Sequence, residues 1–542
     1  MNQESKKMGY CIFMSDLTNF YNLYATLAQS AYLGRTRYYE EYMNSDSITE
    51  FDYSKTYKDN NNMIISGGKT LPNNGVLYLQ KNQTIENFTV DIGGYYPVEY
   101  SRELLRNEEI GFSSYYLTDT QNLDHETKNV YLSIRGSDAL GPNSLNDWID
   151  NNLIFTMKDS FIPQGFLAYN AIKTKLSELR EKAPNAKFNV AAHSLGTIAS
   201  VQGVSKLTVE ELQQIGEVVL FNGPDTLKSL RKMGISEEKI NILNEKVTYY
   251  VNPFDIVSML NRNTDEQLGK VKVIVPFNFA TTFDTPSSHD FGEFRIYSDG
   301  KVLEATEDFF PDYLYAGKKL SLLIDKYLTN IKDKGVILAI LGEIGKKWSE
   351  IVAKNRGEVL EFKYLYTEFM KEYQAIIDET KQAVIAWGHK NIPILQSAIQ
   401  DATGAKKIEL RSRLLLCISH LSRIESDEKV KLLKNELENY RQQVKEVVEK
   451  ANSEAYRAGI TLGRNEVSQL VSHFQFSTVW DETMFSYNVD ELNRYIDKIY
   501  RFSDKLFTSV ETLEDIDRKQ SEIFKVVSNS SFSLNSYKIE RG

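Results

Sequence analysis

The sequence predicts an α/β domain with a mostly parallel sheet, followed by an all-α domain. The chain has 542 residues, more than one hydrophobic core usually organises, so two domains are expected. Up to about Gly300, β-rich runs such as VYLSI, KFNVAAH and EVVLF alternate with helical stretches, a pattern typical of a parallel sheet covered by helices. After about Leu303, apolar residues recur at steps of three and four, as in long packed helices. We therefore expect domains over 1–302 and 303–542.

The C-terminal region is expected to form a helical bundle or a long antiparallel helical hairpin. Three runs of apolar residues have the helical spacing: Val359, Phe362, Tyr366, Phe369, Tyr373 and Ile376; Val430, Leu433, Leu437, Tyr440, Val444, Val447 and Ala451; and Val489, Leu492, Tyr495, Ile499, Phe502, Leu506, Val510 and Leu513. Ile392-Pro393 and a turn at Gly404 should divide the region into separate helices, because proline lacks the N–H that a helix interior requires.

The composition is that of an ordinary globular protein, and its charge argues against nucleic acid as a partner. The net charge of −10 and the pI near 5.4 leave no basic field to neutralise phosphates, so nucleic acid is not expected to bind. The N-terminus lacks the features of a cleaved signal peptide, and the most apolar run, Val336–Leu341, is too short to cross a bilayer. Cys11 and Cys417 are expected to be buried and unpaired. Without a visible cluster of metal ligands, we expect no metal and no other cofactor.

The strongest local motif is AKFNVAAHSLGTIAS, in which a strand-like run enters His193-Ser194-Leu195-Gly196 and continues into a helix. This is the pattern of a nucleophile elbow, a sharp turn between strand and helix that presents a serine hydroxyl at the sheet edge. Ala192 stands where the G-x-S-x-G form of the motif has its first glycine. The interpretation is that Ser194 is a catalytic nucleophile.

A serine nucleophile needs a general base, and the base needs a carboxylate to orient it. His289 is the only histidine between Ser194 and the helical region, and it becomes the candidate base. Asp255, just after a strand, and Asp225, in FNGPDT, are the candidate acids. His193 is expected to have a packing or hydrogen-bonding role, because a residue adjacent to the nucleophile points away from its hydroxyl.

The reaction also needs donors for the developing oxyanion. One should be the backbone N–H of Leu195, directly after the nucleophile. The other should come from the loop after an earlier strand, and VYLSI followed by Arg135-Gly136-Ser137 supplies such a loop.

The order of these motifs resembles that of the class 3 lipases and their bacterial relatives, over residues 112–298. The series reads Arg135-Gly136-Ser137, Asp147-Trp148, Gln164-Gly165-Phe166, His193-Ser194-Leu195-Gly196, Phe221-Asn222-Gly223-Pro224, Asp255-Ile256-Val257 and His289. The resemblance implies an α/β-hydrolase fold, hydrolysis of lipid acyl esters (as a lipase or phospholipase A), and a lid over residues 138–150. It further implies Ser137 and Leu195 as oxyanion donors and Asp255 as the acid. Thr197 stands where the family often has glycine.

The helical region is similar to the LXG- and WXG-type modules of Gram-positive toxins exported by type VII secretion, in the reversed arrangement with the lipase first. Tyr500 and Asp504 fit the Y-x-x-x-D/E export pattern. This resemblance implies small helical WXG100-like partner proteins, an immunity protein, and secretion without a cleaved signal peptide. Two other interpretations stay open: a cytoplasmic esterase or thioesterase for small acyl compounds, and a non-catalytic binding protein with a hydrolase fold.

Overall fold

The computed structural model of the chain describes residues 23–30, 49–52, 57–58, 64–65, 76–80, 89–92, 95–99, 103–107, 111–136, 162–284, 287–289, 294–295, 301–331 and 356–534. The chain divides into two compact units, Met1–Lys381 and Gln382–Gly542. A mostly parallel α/β sheet followed by a long helical region confirms the coarse prediction from the sequence. The units divide after Lys381, later in the chain than the expected boundary at 302/303.

The first unit is organised around one large sheet. Its described strands are β1 (Thr49–Asp52), β2 (Tyr57–Lys58), β3 (Ile64–Ile65), β4 (Val76–Leu79), β5 (Thr89–Ile92), β6 (Tyr95–Glu99), β7 (Arg106–Asn107), β8 (Phe112–Thr118), β9 (Asn129–Ile134), β10 (Lys187–His193), β11 (Ile215–Phe221), β12 (Val247–Val251) and β13 (Lys270–Val273). Within these, the large sheet has the order β1-β4-β8-β9-β10-β11-β12-β13, and β7 pairs with β8. Strands β9 to β13 run parallel, whereas β1, β4 and β8 are antiparallel to their neighbours.

The middle strands are buried on both faces. Strand β9 (NVYLSI) is buried except at its half-buried first residue, and β10 (KFNVAAH) is exposed only at its first residue. Continuous buried runs, rather than alternation, are typical of parallel strands covered by helices on both faces. These two central strands and their neighbours therefore form a rigid support for the loops that follow them.

The described helices of the first unit cover this sheet. They are α1 (Leu23–Ser30), α2 (Pro163–Lys182), α3 (Leu195–Ser205), α4 (Val209–Gln214), α5 (Leu227–Lys232), α6 (Glu237–Lys246), α7 (Ile256–Met259) and α8 (Asp312–Ile331), with the first part of α9 (Arg356–Asp401). Helix α3 is completely buried. It packs closely on α2 because Gly203 has no side chain: a Cβ there would lie 2.8 Å from the backbone nitrogen of Tyr169. Close packing holds the start of α3 firmly against the sheet.

The first part of α9 packs on α8 within the first unit. The rings of Tyr327 and Phe369 meet edge to face with centroids 5.3 Å apart, and Lys326 pairs with Glu372 at 2.8 Å. Phe369, Tyr373 and Ile377 are buried. The apolar spacing predicted this helix, but it placed the helix in the second domain.

The second unit contains two long helices packed side by side. The helices after α9 are α10 (Gly404–Ala458), α11 (Arg464–Val471), α12 (Phe476–Val479) and α13 (Glu482–Leu534). Ser419 contacts Ser503 at 2.7 Å, and Arg441 pairs with Glu482 at 3.0 Å, so α10 and α13 run antiparallel. This is the helical hairpin that was one of the two expected arrangements.

One of the two expected helix breaks is correct and the other is wrong. Gly404 has a φ of +57°, a backbone conformation that favours glycine, and it begins α10. Pro393 lies inside α9 and does not end it. A proline removes one backbone hydrogen bond, and a long helix can continue past that loss.

The remaining global expectations concern membranes and cysteines. Within the described residues, none of the helices combines the length and the apolar character that crossing a bilayer requires. Cys417 is buried and unpaired, and burial raises the pKa of its thiol to about 12. Cys11 lies outside the described residues.

Candidate active site

Three residues of the candidate site follow neighbouring parallel strands at the point where each strand ends. Ser194 follows β10, Asn222 follows β11 and Asp255 lies in the loop after β12. Because parallel strands have their carboxyl ends at the same edge of a sheet, the topology gathers these residues at one edge. This is where ligands bind in open α/β sheets.

Ser194 occupies a strained turn between β10 and α3. Its backbone has φ 56° and ψ −131°, which is uncommon for a residue with a side chain. The turn is held by a hydrogen bond from Ser194 N to Phe221 O of 3.0 Å, and by one from Thr197 N to Ser194 O of 3.0 Å. A positive φ at the serine is the local geometry that the elbow motif predicts.

Two glycines, Gly196 and Gly223, allow the elbow to pack closely on neighbouring segments because they have no side chain. A Cβ at Gly196 would lie 2.7 Å from Ile134 O, so glycine is required where α3 starts beside the end of β9. A Cβ at Gly223 would lie 1.9 Å from Thr197 Oγ1. Thr197 therefore fits because Gly223 leaves the space, and its hydroxyl donates to Ser194 O at 2.6 Å. Ala192 is fully buried in β10.

Asp255 and His289 are in direct contact. The distance from His289 Nδ1 to Asp255 Oδ2 is 2.9 Å, the Asp255 side chain is fully buried, and the His289 side chain is 19% exposed. A carboxylate accepts, so the imidazole proton lies on Nδ1 and Nε2 keeps its lone pair. This is the tautomer that a general base acting through Nε2 requires.

Four further donors surround the Asp255 carboxylate. Asp255 is the N-cap of α7 and accepts from Val257 N at 3.1 Å and from Ser258 N at 2.9 Å. The hydroxyls of Ser258 and Thr282 also donate to it, the second at 3.3 Å. A side chain held by so many donors has little rotational freedom, so the direction in which it holds His289 is fixed.

The main chain of His289 is held from the side of the elbow. Its carbonyl oxygen accepts from Asn222 Nδ2 at 3.0 Å and lies 3.0 Å from His193 Nε2. Asn222 has φ 48°, and its own Oδ1 accepts from Asn252 N at 3.0 Å and lies 3.1 Å from Ser258 Oγ. Asn222 thereby connects the loops that carry the candidate acid and the candidate base.

His193 packs against His289, as expected for a residue with a supporting role. The two rings have centroids 4.6 Å apart. Because a carbonyl oxygen only accepts, the neutral His193 donates from Nε2 to His289 O. Burial, and then the charge of His289, lower the pKa of His193 well below its usual value. His193 thus supports the candidate base while it stays uncharged at neutral pH.

The rival acid, Asp225, belongs to a different network. It accepts from Leu227 N at 3.1 Å and from Leu268 N at 2.8 Å, and it lies 4.0 Å from Arg262 Nη1. Burial raises the pKa of Asp225, and the Arg262 charge opposes that shift. The Arg262 guanidinium also donates to Gly223 O at 3.0 Å. Asp225 and Arg262 together brace the loops after β11 and β12.

The expected oxyanion donors are described in part. Leu195 is the first residue of α3, so its N–H is one of the N-terminal helical donors that have no partner within the helix. Arg135 and Gly136 follow β9 directly, beside Gly196. Ser137 and the expected lid, residues 138–150, lie outside the described residues.

Asn222 and Thr282 are functional candidates that the sequence did not single out. Asn222 belongs to the motif Phe221-Asn222-Gly223-Pro224, to which the sequence assigned no role in the site, and its positive φ could not be inferred from that motif. Thr282 lies in a loop without a distinctive sequence pattern. No grouping of three or more His, Cys, Asp or Glu side chains suited to a metal ion occurs among the residues described.

Comparison of the chain with models of protein families, with curated proteins and with solved structures gave no match.

Proposed function

We propose that this protein is a serine-dependent acyl-ester hydrolase with an α/β-hydrolase fold, in which Ser194, Asp255 and His289 form the catalytic triad. The observation that carries the proposal is the 2.9 Å contact between His289 Nδ1 and Asp255 Oδ2, beside an elbow at which Ser194 has φ 56°. The candidate acid orients the candidate base, and the base has the tautomer that acyl transfer requires.

In the proposed reaction, His289 Nε2 takes the proton of Ser194 Oγ as that oxygen attacks the ester carbonyl. The tetrahedral oxyanion is stabilised by the N–H groups of Leu195 and Ser137. The carbon–oxygen bond to the alcohol then breaks, and His289 returns the proton to the leaving oxygen. Water, deprotonated by His289, then attacks the acyl carbon; the bond from that carbon to Ser194 Oγ breaks, His289 returns the proton to Oγ, and the carboxylic acid leaves. Asp255 orients the imidazole and stabilises its charged form in both steps.

Lipids are the proposed substrate class, with the ester bond of a phospholipid or acylglycerol as the target. This choice rests on the resemblance of the motif series to class 3 lipases, since the triad itself serves many ester substrates. A small soluble ester as the natural substrate is the alternative outcome of the test.

Hydrolysis assays with two serine variants test this proposal. Purified chain is assayed on phospholipid vesicles, on triacylglycerol emulsions and on soluble esters of increasing acyl length. Ser194→Ala should lower kcat by roughly 10⁴- to 10⁶-fold because the attacking oxygen is lost. The matched control is Ser205→Ala, at the far end of α3, where the hydroxyl donates only to Gln202 O at 2.9 Å. Ester hydrolysis that is equal in both variants contradicts the proposal, and activity confined to short esters refutes the lipid assignment.

For the second unit, we infer a role in export as a toxin: it binds small helical partner proteins, while an immunity protein protects the producing cell. Leu433, Tyr440 and Val447 follow one another at seven-residue steps on α10 and are 45%, 58% and 62% exposed. Such a stripe favours another helix over water. In the export pattern, Tyr500 donates to Asp427 and Asp504 pairs with Arg423, so both residues are engaged between α10 and α13.

Co-purification with small helical proteins encoded beside the chain tests the partner proposal. Tyr440→Lys should abolish capture, whereas Gln443→Lys, which adds the same charge at an exposed position of α10, should not. Absence of capture by the intact chain contradicts the partner proposal and leaves the hydrolase proposal unaffected.

A further inference from the structure

Tyr373 brings a side chain from α9 to the loop that carries the candidate acid. Its hydroxyl donates to Phe254 O, directly before Asp255, and accepts from Thr282 N at 3.0 Å. Tyr373 is completely buried. All of these residues belong to the first unit. A helix that the apolar spacing assigns to the C-terminal region therefore contacts the backbone of the catalytic edge.

Thr282 connects this hydroxyl to the Asp255 carboxylate. Thr282 Oγ1 donates to Asp255 Oδ1 at 3.3 Å and accepts from Ile256 N at 2.8 Å. Tyr373 holds the backbone nitrogen of the same residue. The position of the threonine hydroxyl, and hence one contact of the carboxylate, depends on the tyrosine.

The loop that carries His289 is bonded to the same two segments, at Phe254 and Thr282. Ser288, which precedes His289, donates to Phe254 O at 3.1 Å, and Ser287 Oγ donates to Thr282 O at 2.7 Å. The segments that carry the acid, the threonine and the base thus converge within hydrogen-bond distance of one another, and Tyr373 lies at their junction.

Contacts on either side of Tyr373 fix its helix in place. Tyr327 OH donates to Glu372 Oε1 at 2.8 Å, and Lys319 pairs with Glu379 at 2.8 Å. The Lys381 ammonium lies 5.4 Å from the ring centroid of Phe279. These contacts hold the helix without involving Asp255 or His289.

We propose that Tyr373 is a positioning residue of the hydrolase, through which residues 356–381 hold the acid loop and the histidine loop in the arrangement that acyl transfer requires. The proposal rests on the proposed function and names a residue from the helical region as part of its machinery. Removing the hydroxyl leaves the buried Thr282 N–H without its acceptor, and a buried unpaired donor is costly enough to move a loop. Movement of Thr282 releases one oxygen of Asp255 and shifts His289 with it.

The test compares two tyrosine-to-phenylalanine variants in the full chain. Tyr373→Phe should lower kcat roughly 10- to 100-fold with KM changed less than about twofold, because small displacements of catalytic groups affect the transition state most. Tyr327→Phe is the matched control: it removes a hydroxyl from the contact between α8 and α9 that does not reach Asp255, and kcat should change less than about threefold. Cooperative thermal unfolding of each variant verifies that it is folded.

A double-mutant cycle separates positioning from general destabilisation. Thr282→Val removes the hydroxyl through which Tyr373 acts on Asp255. The double variant Thr282→Val/Tyr373→Phe should therefore have a kcat less than about threefold below that of Thr282→Val alone. Rates of covalent labelling by a fluorophosphonate, which reacts with activated serines, should follow kcat. The positioning role is refuted if the wild-type chain is labelled and Tyr373→Phe is labelled at the same rate. It is also refuted if the kcat losses of the two single variants multiply fully in the double variant. If the wild-type chain does not label, the proposed function fails, and this role fails with it.

Discussion

Replacing either candidate acid with asparagine gives two similar buried perturbations with different expected effects on catalysis. Asp255 accepts from His289, Val257, Ser258 and Thr282, so both of its oxygens are surrounded by donors. An amide NH₂ at that position must face at least one of these donors in either flip state. We expect unfolding stability to fall by about 1–3 kcal/mol.

The larger effect of Asp255→Asn is on catalysis. Without a carboxylate acceptor, His289 loses the tautomer and the charge stabilisation that the base requires, which in serine hydrolases costs about 10⁴ in kcat, or about 5.4 kcal/mol at 1.36 kcal/mol per tenfold. Asp225→Asn does not change the contacts of His289. It leaves the buried charge of Arg262 without its carboxylate partner, so we expect unfolding stability to fall by about 3–5 kcal/mol. Its kcat should change less than about tenfold.

The assay is hydrolysis of a short soluble ester well below the unfolding temperature, with rates normalised to the concentration of folded protein. Thermal unfolding by circular dichroism measures the stability loss separately. A larger loss of kcat in Asp225→Asn than in Asp255→Asn would show that the acid has been assigned to the wrong loop. Equal losses would show that neither carboxylate acts on His289.

The structure supports three further predictions. Gly223→Ala should lower the midpoint of thermal unfolding, because the added methyl group would lie 1.9 Å from Thr197 Oγ1, and a second change, Thr197→Gly, should recover much of the loss. The pKa of His193 is lowered in the folded chain, so below the unfolded-state pKa of about 6.5 the unfolded chain binds a proton that the folded chain does not. The free energy of unfolding should therefore fall as the pH drops below about 6.5. The fall should be smaller in His193→Gln. A fragment of residues 1–402 should hydrolyse esters at least about 10-fold faster than a fragment of residues 1–302, which lacks both Tyr373 and helix α8; equal activity of the two fragments would contradict this.

The elbow could be predicted because its determinants are local: a strand that enters a turn of small residues predicts the position of Ser194. Chain order selects His289 but leaves both Asp225 and Asp255 as candidate acids, and the choice of Asp255 comes from the resemblance to class 3 lipases. The geometry also explains the two departures from the lipase pattern. Thr197 occupies space that Gly223 leaves, and Ala192 lies in a buried strand where a methyl group is accommodated.

The rest depends on contacts between residues distant in sequence. Tyr373 and Thr282 are 91 residues apart, and no local pattern links a helical tyrosine to a loop threonine. Apolar spacing predicts that Phe369 and Tyr373 lie on one face of a helix, but the spacing is the same whether that face covers another helix or a catalytic loop. For that reason the expected boundary at 302/303 precedes the boundary in the structure.

Covalent labelling of the intact chain by a fluorophosphonate shows whether Ser194 is an activated nucleophile. We predict one adduct per chain, located by peptide mass spectrometry on Ser194, and a labelling rate lower by about 10⁴-fold in His289→Ala. An unlabelled chain, an adduct on another serine, or equal labelling of the His289 variant would contradict this prediction.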